Sequence, residues 1–182
     1  GKQMSTTQVL IAGFGGQGIL FAGKFLAYTG LLGERNVSWL PSYGPEMRGG
    51  TANCSVILSD TPVGSPIVTS PDILVAMNLP SLEKYESAAK AGGLILVDSS
   101  LIAKKVERTD VKTVYIPATT LATENELSGL ANMIMTGALI AHADCVPEEL
   151  IEPALKKVVS AKHADLFDKN LEAIKLGMSY EK

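Results

Sequence analysis

Val9-Leu10-Ile11-Ala12-Gly13-Phe14-Gly15-Gly16-Gln17-Gly18 is the stretch on which the fold turns. Its four leading apolar residues read as a buried strand, Gly13 to Gly18 satisfy G-x-G-x-x-G, and small or apolar residues recur at helical spacing from Ile19 to Leu31. Strand, glycine turn and helix in that order predict an α/β protein with a Rossmann-like, mostly parallel sheet and flanking helices. In this reading Gly13 permits the tight turn, Gly15 lets a phosphate or another backbone come close, and Gly18 lets the helix pack on the strand. Free N–H groups at the helix start then face an arriving anion. The spacing names no ligand, since a turn that only packs its helix or receives a partner subunit would use the same residues.

Outward from the turn, Gly33 reads as the left-handed residue closing the helix, and Val37 to Leu40 as a second strand ended by Pro41. A nicotinamide-binding unit wants an acid about 20 residues beyond the glycines, at the end of that strand. Here the strand ends Trp39-Leu40-Pro41-Ser42, and the nearest acid, Glu34, precedes it. The glycine turn stands, but the case for bound NAD weakens. Ser42-Tyr43-Gly44-Pro45-Glu46-Met47-Arg48-Gly49-Gly50-Thr51 follows, with Gly-Pro and Gly-Gly turn signals around a carboxylate and a guanidinium. In a doubly wound sheet this loop lies at the carboxyl edge with the glycine turn, where Arg48 could clamp a phosphate or carboxylate and Glu46 orient it. The competing reading is an exposed turn with a weak local ion pair.

Ala52 to Leu58 reads as a strand, Ser59 to Pro62 as a turn and Val63 to Val68 as its antiparallel return, a hairpin inserted beside the parallel core. Further core strands are expected at Ile73 to Asn78, Leu94 to Asp98 and Thr113 to Pro117. Asn78 and Asp98 end theirs at the ligand edge, to serve a site or to cap the next helix. Helices follow at Leu82 to Lys90 and Ala118 to Leu127, and a helical C-terminal segment begins near residue 129. The organisation is a flexible tail over 1–7 and one domain over 8–182. The tail is polar, lacks the apolar stretch of a signal peptide, and opens on Gly1, which is no translation start.

Composition excludes several classes. With 182 residues, 46% hydrophobic and 19% charged, the chain can bury a sizeable core, and its net charge of −3 without a basic cluster argues against nucleic acid. No apolar run reaches a membrane span. Cys54 and Cys145, the only two cysteines, fit a reducing, cytoplasmic setting and cannot supply an iron–sulfur cluster. Cys54 has no basic neighbour to make it a nucleophile. His142 and His163 lack the companions a metal site needs. There is no P-loop and no G-x-S-x-G elbow, so no catalytic residue and no metal ligand is assigned.

The run Ser42-Tyr43-Gly44-Pro45-Glu46-Met47-Arg48-Gly49-Gly50-Thr51-Ala52-Asn53-Cys54, together with Gly13 to Gly18 and Gly64-Ser65-Pro66, resembles the gamma subunit of 2-oxoacid:ferredoxin oxidoreductases, most closely the 2-oxoglutarate type. Related pyruvate, ketoisovalerate and indolepyruvate enzymes share much of the pattern. The likeness continues through Asp72 to Asn78, Gly92 to Asp98, and Asn132, Asn170, Ala173 and Gly177. It implies an accessory subunit of an enzyme that decarboxylates a 2-oxoacid on thiamine diphosphate, passes electrons through iron–sulfur clusters to ferredoxin, and delivers the acyl group to coenzyme A. Thiamine diphosphate and clusters would belong to alpha, beta and ferredoxin-like delta partners, this chain having neither cluster cysteines nor a G-D-G…N-N pattern. Coenzyme A would lie at a shared site, with Gly13, Gly15, Gly16, Gln17 and Gly18 and the loop residues Tyr43, Gly44, Glu46, Arg48, Gly49 and Gly50 facing it. A stand-alone nucleotide-binding module and an NAD-dependent dehydrogenase are the alternatives.

Overall fold

The computed structural model describes residues 5–43 and 51–180. A six-stranded sheet runs in the order β2-β3-β1-β4-β5-β6, made of β1 (Thr6–Phe14), β2 (Asn36–Tyr43), β3 (Thr51–Ser59), β4 (Ile73–Ala76), β5 (Leu94–Asp98) and β6 (Lys112–Ile116). β1, β4, β5 and β6 are parallel, whereas β3 is antiparallel to both β1 and β2. β2 therefore points the same way as β1, one strand removed from it. β1 begins at Thr6, inside the segment read as a tail.

Alternation along the strands divides the core in two. Val9, Ile11, Cys54, Val56, Leu58, Val75 and Leu96 face the layer formed by α1 (Ile19–Leu32), α3 (Ala118–Glu124), α4 (Ala131–His142), α5 (Ile151–Val158) and α6 (Ala164–Ser179). Leu10, Ile57, Leu74, Ala76, Ile95 and Val97 face a thinner cover that includes α2 (Leu79–Tyr85), with Leu82, and Ile102. α4 and α6 meet backbone to backbone: a Cβ on Gly137 would strike the Ile174 carbonyl, and one on Gly177 the Ile134 carbonyl. None of the described helices is long and apolar enough to cross a membrane.

Three expectations change. The inserted hairpin is β2–β3, and Val63 to Val68 forms no strand. Both edges of β3 are already paired, so no ladder remains for a return strand. Instead the segment lies over the thin face, where the Val68 N–H donates to Ser55 Oγ at 3.2 Å. Pro41 does not end β2; it pairs with Cys54 inside the strand, which is tolerable because β2 is the sheet edge. Finally, Gly33 caps α1 at φ −86°, and the left-handed residue is Glu34, at φ 60°. The Arg35 N–H reaches the Gly30 carbonyl at 2.9 Å and the Glu34 N–H that of Leu31 at 3.0 Å, completing a Schellman closure with a non-glycine at C′.

Candidate functional site

The carboxyl edge of the sheet collects most of the residues singled out in the sequence. β1 ends in the turn before α1. Gly13 is buried, and a Cβ there would come 2.5 Å from Gln17 Oε1 and 2.9 Å from Ile19 Cδ1. Gly15 and Gly16 are exposed; Gly16 has φ 92° with no atom within 4 Å of a Cβ position, so its backbone is open to an approaching group. Gly18 is the N-cap of α1 at φ 73°, without a side-chain cap and without an acid in the first turn. A 14-residue helix thus presents its positive end uncompensated, the electrostatic setting for a phosphate or carboxylate.

Gln17 is in the turn for another purpose. Its Oε1 accepts the Phe14 N–H at 2.6 Å and its Nε2 donates to the Met77 carbonyl at 3.0 Å, so the carboxamide ties the turn to the end of β4. Gly18 is fixed from α4, the neighbouring helix of the same layer, where Asn132 Nδ2 donates to its carbonyl at 3.0 Å and occupies the space of a Cβ. Nothing in the local sequence points to this contact, because Asn132 is 114 positions away.

Tyr43 is in register with Ala52, which is in register with Gly13. Two inter-strand spacings place it about 10 Å from the turn, and its ring is 70% exposed. Thr51 pairs directly with Phe14. Both ends of the 44–50 connection thus emerge beside the glycine turn, while Gly44, Glu46, Arg48, Gly49 and Gly50 themselves lie outside the described residues. Asn78 caps α2 by accepting the Ser81 N–H at 2.9 Å, and its buried Nδ2 has no protein partner among the described residues. Asp98 is fully buried and committed to Ser100 N, Thr119 N and Thr119 Oγ1 at 3.1, 3.4 and 2.6 Å, which makes it a structural cap.

A cavity of about 610 Å³ at the opposite edge is lined by Ser5, Arg35, Asp60 and Cys145, among others, but Arg35 binds Asp60, the Ser5 carbonyl and the Leu58 carbonyl, each at 3.2 Å. Cys54 lies under Gly23, its thiol pushed up to about 12 by burial against a smaller opposing effect of its hydrogen bond with Trp39. Burial likewise pushes Cys145 up to about 11. No cluster of three potential metal ligands occurs among the described residues.

A mostly parallel sheet flanked by helices, with an open glycine turn at its carboxyl edge, defines a Rossmann-like α/β module. The family model for pyruvate ferredoxin/flavodoxin oxidoreductase matches residues 8–180, and the chain belongs to that family. It is 37% identical over 174 residues to the ketoisovalerate oxidoreductase subunit VorA of Methanothermobacter marburgensis, covering 95% of this chain and 36% of VorA. It is also 37% identical over 175 residues to the 2-oxoglutarate synthase subunit KorC of Methanocaldococcus jannaschii, covering 92% and 94%. Among solved structures, the keto/oxoacid ferredoxin oxidoreductase gamma subunit of Geobacter sulfurreducens superimposes with a TM-score of 0.81 at 28% identity, covering 94% and 96%. The chain therefore has the gamma-subunit fold. It spans about a third of VorA and nearly all of KorC.

Proposed function

We propose that this chain is the gamma-type subunit of a cytoplasmic multisubunit 2-oxoacid:ferredoxin oxidoreductase, with 2-oxoglutarate the leading substrate. It is inactive alone and lines the coenzyme A side of the shared active site. The observation that carries this is the near end-to-end likeness to KorC, a 2-oxoglutarate synthase subunit, in both chains. The glycine turn and α1 suit coenzyme A phosphates: the Gly16 backbone is open and the first turn of the helix carries no acid. Arg48 and Tyr43, from the connection beside it, would add a bidentate cation and an aromatic face. Thiamine diphosphate and iron–sulfur clusters would be held by alpha, beta and delta partners, and ferredoxin would accept the electrons. Two separate thiols, both biased to the protonated form, do not fit cluster ligation.

The NAD-dependent dehydrogenase reading is disfavoured by β2, which runs to Tyr43 without an acid for the ribose hydroxyls. The test is gentle purification of the tagged chain from its host, with identification of companions and assay of 2-oxoacid- and coenzyme A-dependent reduction of an artificial acceptor. Copurifying thiamine and iron–sulfur subunits, with activity absent from the chain alone, is the expected result. A solitary chain that binds a nucleotide and supports no such activity overturns it in favour of a stand-alone binding module.

A further inference from the structure

Among the described residues the edge strand β2 is guarded by a single device, Pro41. The strand spans Asn-Val-Ser-Trp-Leu-Pro-Ser-Tyr with no charged residue, pairs residue for residue with β3 without a bulge, and has no strand on its other side among the described residues. Natural sheets protect a free edge with charge, proline, a bulge, brevity or a covering element, because the unpaired N–H and C=O groups otherwise recruit another chain. Here only Pro41 interrupts the donors. Trp39 is 39% exposed, Leu40 36% and Tyr43 70%, with Phe14, also 36% exposed, at the same corner. Alternation puts Trp39 and Tyr43 on the α1 side of the sheet and Leu40 on the other, so a partner that covers all three must straddle the edge.

The comparisons indicate which partner. In VorA the same module is 36% of one polypeptide, leaving well over half of that chain outside the match, whereas in KorC it is nearly the whole chain. A module that occurs both joined to a neighbour and free of it needs a docking surface in the free form to replace the covalent connection. We infer that the β2 edge, with Trp39, Leu40 and Tyr43 on its two faces, is the surface on which a separate polypeptide similar to the remainder of VorA docks. This rests on the subunit reading above and adds the surface and the partner to it.

The experiment compares the tagged wild-type chain, the double variant Ser38→Lys/Leu40→Lys, and the control Leu166→Lys on α6. Each is coexpressed with the companion subunits. Wild type and control should retain the companion similar to the VorA remainder, and the double variant should lose it about tenfold or more, the effect expected of charge placed in an apolar contact. The isolated double variant should keep the wild-type melting temperature, since Leu40 and Ser38 are solvent-facing or half-buried. As a measurement independent of substitution, β2 amides should exchange hydrogen more slowly in the wild-type complex than in the isolated chain. Equal retention by the double variant, or unchanged β2 exchange on assembly, overturns the docking surface and leaves the subunit reading standing. Companion retained while a self-associated chain becomes monomeric overturns it in favour of a second copy. A wild-type chain that retains no companion overturns both readings.

Discussion

Gly18→Ala tests the frame of the site because two independent costs meet at one residue. At φ 73° an alanine at this N-cap adopts a left-handed conformation that costs L-residues about 1–2 kcal/mol. Its Cβ also lands on the Asn132 amide nitrogen, displacing a donor that now reaches the Gly18 carbonyl at 3.0 Å. Asn132 is 4% exposed and its Oδ1 has no partner among the described residues, so losing the Nδ2 bond strands a buried amide, at a further cost of about 1–2 kcal/mol. The expected loss is about 2–4 kcal/mol in urea unfolding, or a fall in melting temperature of roughly 5–15 °C for a chain of this size. In an Asn132→Ala background the collision disappears and only the backbone cost remains, about 1–2 kcal/mol. The double-mutant cycle should therefore give a coupling above about 1 kcal/mol, the double variant losing less than the sum of the two single losses. A single-variant loss under about 1 kcal/mol, or strictly additive losses, refutes the account of how α4 holds the turn.

Glu34→Gly should stabilise the chain by about 0.5–1 kcal/mol, because glycine relieves the left-handed conformation at the C′ position of α1 at a smaller entropic cost; a destabilised variant in the same unfolding assay would contradict the Schellman assignment. Gln17→Ala should raise the coenzyme A KM of the assembled enzyme about fivefold, one hydrogen bond's worth, while leaving the 2-oxoacid KM unchanged; equal effects on both would mean the carboxamide does not act through the glycine turn. Both thiols should resist alkylation at pH 8 in the folded chain and react freely once unfolded. Their folded values, about 12 for Cys54 and about 11 for Cys145, lie above the ordinary 9.0, so their contribution to stability is whole below pH 9 and is lost as pH rises towards those values; a stability profile that climbs above pH 9 would exclude it.

The parallel core was legible because its strands are continuous apolar runs ending at polar or turn residues, and the glycine turn because its spacing is local. What escaped was decided by pairing partners. Val63 to Val68 has strand-like residues, but β1 and β2 already occupy both sides of β3. Pro41 looks like a terminator until β2 is known to be the edge strand. Within the site, spacing singled out Gly13, Gly15 and Gly18, whereas the open left-handed glycine is Gly16, and the inward commitment of Gln17 to Met77 and the support of Gly18 by Asn132 depend on residues 60 and 114 positions away. The loop carrying Glu46 and Arg48 was expected at the carboxyl edge from its place after the second strand, and the register of Tyr43 and Thr51 sets its two ends beside the glycine turn.

Because β3 is wedged between β1 and β2, the connection from Tyr43 to Thr51 spans neighbouring antiparallel strands rather than leading into a crossover helix. Its two anchors are set by the ladder, and Thr51 is paired to the very residue that starts the glycine turn. A change in the length of this connection leaves every strand of the frame where the ladder holds it. The ladder thus separates two jobs: the strands keep the glycine turn as a constant reference point, while the connection beside it is free to vary in length.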